Sequence, residues 1–516
     1  MAEGELILAA GALLVAGLLA SLAAGRLRVP GLVLFLAVGM AVGSDGLGLF
    51  AFDDYELARG VGVVALVLIL FEGGLAVGWG EIRPVLGPAL SLALVGTLLT
   101  AVLTGLAASW LFGFGATEGL LVGSVLAATD SAAIFALLGN STLRRRLART
   151  LEAEAGFNDA VAVLLVVGFI GVITEPGYGA AEMAALFVRQ VTLGVAVGLA
   201  LGWLAVQAFR RVRLATPGLY PVASIAAAAV AFGGADTLGG SGFAAVYLVG
   251  LALGSAPIPA KRSVTSFHDG LAWVAQLSMF LMLGLLVFPS QLVQLDVAVK
   301  GTVLALVLAL VARPLAPLAA TALGGFSVRE RIVLGWAGLR GAVPVILATF
   351  PVIDRVPGSL EYFNIVFFAV VVSTVLQGVT FEPLARALGV TTNEPALPRP
   401  LAETGVIRRL GAEIVEYPVG PDDAIVGRLV RDLELPREAL LSVIVREDQA
   451  IPPRGSTLVM AGDRLHVMVR QEVSHEFQPL LERWQHGPIG PEQRPRPTPR
   501  SSPAVSIVRP WRDSDG

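Results

Sequence analysis

GLLVGSVLAATDSAAIFALL (residues 119–138) and VLGWAGLRGAVPVILATF (333–350) are two long apolar stretches, and each carries a charge near its centre. In the first, Thr129 and Asp130 sit among small residues that let a second backbone approach closely. In the second, Arg340 is flanked by Gly338, Gly341 and Pro344. Glycine and proline so placed predict helices interrupted at membrane depth. Such a break is tolerated only where protein, water or ligand satisfies the freed backbone groups.

The surrounding chain supports a membrane setting. Of its 516 residues, 55% are hydrophobic and 15% charged, and the mean hydropathy is +0.76, values that exclude an ordinary soluble domain. Thirteen apolar runs are expected to span, at roughly 5–24, 30–47, 60–78, 86–113, 117–138, 151–174, 182–208, 218–235, 239–255, 268–289, 295–323, 329–352 and 360–388. The first run has no Lys or Arg before it, the first being Arg26 and Arg28, so it reads as a retained span and not as a secretory signal. With no cysteine, thiolate metal sites, disulfides and cysteine catalysis are excluded. The four histidines, at 268, 466, 475 and 486, form no metal-ligand spacing.

Charge between the runs tests the count. Gaps after odd-numbered runs, with the adjoining run ends, hold Arg26, Arg28, Arg83, Arg144, Arg145, Arg146, Arg149, Arg210, Arg211, Arg213, Lys261, Arg262, Arg329 and Arg331, fourteen in all, while gaps after even-numbered runs, with their adjoining run ends, hold only the four residues Arg59, Arg189, Lys300 and Arg355. This asymmetry keeps one phase along the chain and predicts cytoplasmic odd gaps, an external N-terminus and a cytoplasmic C-terminus at the cell's inner membrane. The two interrupted runs are the fifth and twelfth. An offset of seven is what two six-helix repeats separated by one linker span produce, in opposite orientations. Paired interrupted helices in an inverted repeat point to a transport site at the midplane.

The sixth run, EAEAGFNDAVAVLLVV (152–167), adds more buried polarity. Glu154 and Asn158 are four apart on one helix face, and Asp159 is turned about 100° from Asn158. Desolvation disfavours a bare carboxylate at Asp159, which is therefore expected to hold either a proton or a metal cation, the competition coupling the two fluxes. Arg340 needs a partner, and a Glu154–Arg340 structural pair is expected because a buried pair costs less than two lone charges. Glu72, in FEGGL (71–75), and Arg313 are at similar depth and are expected to pair with one another.

Together, ATD in the fifth run, E-x-x-x-ND in the sixth, FEGGL in the third and GLRGAVP in the twelfth resemble the monovalent cation:proton antiporter-1 family, which includes NhaP-type exchangers. The resemblance covers about residues 5–388. It implies a polytopic α-helical membrane protein of NhaA-like fold: thirteen transmembrane helices, inverted six-helix repeats, two crossing broken helices, and a homodimer in the lipid bilayer. It further implies that Thr129, Asp130, Asn158 and Asp159 surround a site for Na+ or K+ and H+, and that asparagine in place of a second aspartate marks electroneutral exchange. Many relatives have serine after the motif glutamate where this chain has Ala155, which removes a candidate hydroxyl ligand.

After a linker at 389–402, the segment 403–486 has strand-like AEIVEYPV, LLSVIVRE and GDRLHVMV and a helical apolar rhythm in AIVGRLVRDLEL. It resembles the RCK-C (TrkA-C) domain, which implies a regulatory module binding a small, nucleotide-like ligand. No GxGxxG half precedes it, so NAD is not implied, and neither another cofactor nor nucleic acid is called for. The tail 487–516, rich in Pro, Arg and Ser, is expected to be disordered. A ligand-gated channel is the rival reading, but no TVGYG-like filter occurs. A membrane enzyme would need a nucleophile–base pair or metal site that the composition does not offer.

Overall fold

The computed structural model describes residues 3–27, 31–50, 52–130, 133–134, 143–212, 214–216, 218–292, 294–322, 324–392, 403–407, 412–446, 449–470 and 474–489. Most of the fifth apolar run beyond Asp130, most of the linker and the tail beyond 489 lie outside them. The chain divides into two compact units, Met1–Leu397 and Pro398–Gly516.

The first unit is helical. It begins with α1 (Glu3–Leu27), α2 (Gly31–Val42), α3 (Tyr55–Val77), the short α4 (Trp79–Ile82), α5 (Leu86–Ser91), α6 (Thr97–Phe112) and α7 (Ala116–Ala127). Next come α8 (Arg145–Thr174), α9 (Ala180–Arg211), α10 (Leu219–Thr237), α11 (Gly242–Ser255), α12 (Lys261–Leu285) and the short α13 (Pro289–Leu292). The last are α14 (Leu295–Val307), α15 (Arg313–Ala320), α16 (Val328–Trp336), α17 (Ala342–Ile353) and α18 (Ser359–Ala387). A π turn, Leu92–Gly96, joins α5 to α6, and a second, Leu308–Ala312, joins α14 to α15. Seven continuous helical stretches among the described residues are long and apolar enough to cross a membrane; α2, α7, α11 and α17 are apolar but shorter.

Helix ends are fixed by local chemistry. Asp54 caps α3 by accepting from the Leu57 amide at 2.8 Å, and Ser327 with Glu330 forms a reciprocal capping box on α16. Helices meet where side chains are absent. Gly250 and Gly254 of α11 face α3 so closely that a Cβ on either would lie 2.4 Å from the carbonyl oxygen of Phe71 or Leu75. This is the small-residue contact that lets helices associate in lipid. Meanwhile Trp110, Leu22 and Trp203 are 83%, 69% and 61% exposed, giving the unit an apolar exterior suited to lipid.

The second unit is a five-stranded antiparallel sheet of order β1-β2-β5-β3-β4, made of β1 (Glu403–Ile407), β2 (Ala412–Pro418), β3 (Ala439–Arg446), β4 (Gln449–Ile451) and β5 (Arg464–Arg470). The three expected strands are present as β2, β3 and β5. The helix expected over AIVGRLVRDLEL is not. Residues 424–435 form turns and a 3-10 turn at Val430–Asp432. Gly427 takes a left-handed φ of 79°, and its amide, with those of Val430 and Arg431, donates to carbonyls at Val459, Thr457 and Gly455. Tertiary backbone pairing outcompetes the apolar rhythm. The α-helix of this unit among the described residues is α19 (Ser474–His486), whose buried Trp484 donates its indole N–H to the Leu433 carbonyl at 2.9 Å.

Asp463 is fully buried between Arg446, whose Nε and Nη2 donate to its two oxygens at 2.7 and 2.8 Å, and the amide of Met460. Burial alone would raise its carboxyl, but Arg446 and the Met460 amide overcome this and hold it below the ordinary value. The stability it adds is therefore present above about pH 4 and lost as pH falls through the lowered native value. Asp463→Asn is expected to destabilise this unit by about 1–3 kcal/mol at neutral pH and to flatten its acid sensitivity. Thermal melts between pH 3 and 7 check this; parental stability in the variant refutes it.

Candidate functional site: two interrupted helices around α8

Helix α7 ends at Ala127, residues 128–130 are extended, and helical backbone reappears at 133–134. Helix α16 ends at Trp336, and α17 starts at Ala342 after its own extended segment. The two segments meet, the Asp130 amide donating to the Leu339 carbonyl at 3.1 Å. This brings the ends of half-helices together in a fully buried place, with partial charges of both signs to satisfy.

Asp130 and Arg340 supply those charges. Asp130 Oδ1 accepts from the Ala133 amide at 3.2 Å and Oδ2 from the Ala342 amide at 2.8 Å, so one carboxylate caps the N-terminal ends of two half-helices. Arg340 Nη1 donates to the carbonyls of Ala127 and Ala128 at 3.1 and 2.6 Å, capping the C-terminal end of α7. Thr374 of α18 donates to the Arg340 carbonyl. Gly341 is needed for this approach, since a Cβ there would lie 1.7 Å from Asp130 Oδ2. Pro344 is third in α17, where amides have no intrahelical acceptor, so its missing N–H loses nothing.

Helix α8 runs beside the crossing and presents the acidic motif. Asn158 Oδ1 accepts from the Thr129 amide at 3.1 Å, and its Nδ2 donates to Thr97 Oγ1 at 2.7 Å. Asp159, the next residue, is 1% exposed, as is Thr129. The Thr129 hydroxyl has no hydrogen-bond partner among the described residues. Thr129, Asp130 and Asn158 are thus joined by backbone and hydrogen bonds, with Asp159 following Asn158 along α8.

Two expected pairings are corrected. Glu154 Oε1 pairs with Arg313 Nη1 at 3.2 Å and not with Arg340, which forms no ion pair among the described residues and turns to the α7 carbonyls. Arg313 accordingly does not pair with Glu72, which lies half-buried on α3. The π turn Leu308–Ala312 sets the phase of Arg313, and Gly338 makes room for it: a Cβ there would lie 1.9 Å from Arg313 Nε. Thr97 carried no sequence signal, because a threonine in an apolar helix commonly bonds its own i−4 carbonyl, as Thr100 does to Gly96. Also missed was a chain of ion pairs in which Arg149 bridges buried Glu152 at 2.7 Å and Glu81 at 2.9 Å, with Arg145 also on Glu81.

Removing one partner of the Glu154–Arg313 pair leaves a buried uncompensated charge. Glu154→Gln and Arg313→Met are each expected to cost about 3–5 kcal/mol, and the double variant to recover much of that loss. Unfolding midpoints of the purified protein check this; single variants as stable as the parent would refute the pairing.

A family model described as sodium/hydrogen exchanger, transmembrane, matches residues 11–387, and the TrkA-C domain model matches residues 414–482. The K(+)/H(+) antiporter NhaP2 of Shewanella sp. (strain MR-4) is 39% identical over 440 residues, covering 84% of this chain and 76% of that protein. The K(+)/H(+) antiporter NhaP of Alkalimonas amylolytica is 36% identical over 469 residues, covering 90% and 81%. The Na(+)/H(+) antiporter NhaH of Halobacillus dabanensis is 28% identical over 316 residues, covering 58% and 76%. In fold, the sodium proton antiporter MjNhaP1 from Methanocaldococcus jannaschii, solved at pH 8, matches with a TM-score of 0.62 at 23% identity, over 75% of this chain and 98% of that one. The chain therefore belongs to the sodium/hydrogen exchanger family, as a multi-pass membrane protein with a C-terminal TrkA-C domain.

Proposed function

We propose that this protein is a secondary antiporter that exchanges one monovalent cation for one proton at Asp159. The observation that carries the proposal is a charge count at the crossing. Three buried carboxylates, Asp130, Glu154 and Asp159, lie on or beside the two interrupted helices with two buried guanidiniums, Arg313 and Arg340, one acid more than bases. A site one charge short of neutrality, walled off from water, takes up one cation or one proton and not both. Asp130 accepts from two helix ends and Glu154 pairs with Arg313, and Asp159, buried directly after Asn158 on α8, is assigned as the exchangeable charge. Thr129 and Asn158 complete its surroundings: the Thr129 hydroxyl is an available oxygen ligand, and Asn158 fixes the extended segment.

Potassium is the favoured cation. The two relatives at 36% and 39% identity are named K(+)/H(+) antiporters, whereas the Na(+)/H(+) antiporter is 28% identical over a shorter stretch. The protein acts in the inner membrane as a homodimer, with thirteen crossings, an external N-terminus and a cytoplasmic TrkA-C domain. The fourteen-to-four asymmetry of basic residues supports that orientation. Alternating access carries Asp159 between the two aqueous faces, and a proton gradient drives cation export. The TrkA-C domain sets the response to a small ligand.

In everted vesicles, added K+ is expected to dissipate an imposed ΔpH without a membrane potential, with Na+ and Li+ tested in parallel. Asp159→Asn is expected to abolish exchange while the protein still inserts, because an amide holds neither a proton nor a full countercharge. Exchange at the parental rate by this variant removes Asp159 as carrier. Deleting residues 403–516 is expected to retain exchange and change its pH or ligand response. An unaltered response reduces the domain to a scaffold.

A further inference from the structure

The two π turns occupy related stretches of sequence. Residues 92–97 read LALVGT and residues 308–313 read LALVAR. In both, the first five residues form the π turn, and the burial pattern is the same: two residues in, two out, two in. A π turn uses more residues per turn than an α-helix, so it rotates the face that the following helix presents, and such turns recur at functional sites. In each stretch the first residue after the turn is polar, fully or almost fully buried, and bonded to α8. Arg313 takes Glu154 at 3.2 Å, and Thr97 takes Asn158 at 2.7 Å. Glu154 and Asn158 are four residues apart on one face of α8. The two turns thus deliver one partner each to the two polar positions that precede Asp159.

We propose that Thr97 is a positioning residue for cation exchange, acting through Asn158. The proposal rests on Asp159 being the carrier and adds a device that holds its surroundings in place. The orientation of the Asn158 carboxamide is forced. Its oxygen accepts from the Thr129 amide, which can only donate, so its nitrogen faces Thr97 and needs an acceptor there. The Thr97 hydroxyl is that acceptor. It locks the carboxamide against the extended segment that carries the Thr129 hydroxyl and Asp130. Valine at position 97 keeps the shape but leaves the carboxamide nitrogen buried without an acceptor. The carboxamide then turns or withdraws, and the extended segment loses its tether beside Asp159.

The test uses the full chain in everted vesicles, with K+ as the probe. Thr97→Val is expected to raise the K+ concentration for half-maximal exchange by about two- to tenfold, the factor that one hydrogen bond of ordinary strength is worth. It is also expected to shift the pH profile of exchange. Thr97→Ser restores the parental values. If Thr97→Val does not assemble, the pair Thr97→Ser and Thr97→Ala, which differ only in the hydroxyl, reads the same quantity. A second readout is K+-dependent thermal stabilisation of purified protein, in which Thr97→Val adds nothing to Asn158→Ala. Parental K+ dependence and pH profile in Thr97→Val overturn the proposal, as do additive effects of the two substitutions. Failure of the carrier reading is separate: it shows as exchange surviving Asp159→Asn, whatever Thr97 variants do.

Discussion

The first unit depends on the neutralisation of half-helix ends where two interrupted helices meet. A broken helix in lipid exposes amides at one end and carbonyls at the other, with no water to take them. Here a single carboxylate, Asp130, accepts from amides at two N-terminal ends, and a single guanidinium, Arg340, donates to the carbonyls of a C-terminal end. Remove either charge and an extended segment at membrane depth has no reason to persist. The glycine at 341 is the steric condition for this exchange of partners, since only a residue without a side chain lets the carboxylate reach the Ala342 amide.

Once the crossing exists, α8 can be read against it. Its polar positions are sorted by what they face. Glu154 is neutralised by Arg313, Asn158 spans the gap from the Thr129 amide to the Thr97 hydroxyl, and Asp159 follows in the same buried stretch. Fixed charges and fixed amides therefore hold the stretch of α8 that leads into Asp159.

Much of this was legible in the sequence because breaks and buried charges are costly and therefore conspicuous. Gly338, Gly341 and Pro344 announced the interruption around Arg340, and ATD announced the other. Partner choice was not legible. Glu154 looked like the natural partner of Arg340, since balance of charge ignores direction. The π turn before Arg313 changes which way that side chain points, and nothing in LALVA distinguishes a π turn from an α-helix by composition. Thr97 was hidden because a threonine in an apolar helix commonly bonds its own i−4 carbonyl. In the second unit, alternation revealed the strands at 412–418, 439–446 and 464–470, but the apolar rhythm at 424–435 was misleading because long-range backbone pairing with residues 455–459 decided that segment.

The contact between Asp130 and Ala342 spans 212 residues of chain. During synthesis the first interrupted helix therefore reaches the bilayer with its charge and its open backbone long before the segment that satisfies them has been made. The carboxylate of Asp130 gains its second helix end only when the segment around Ala342 has been made.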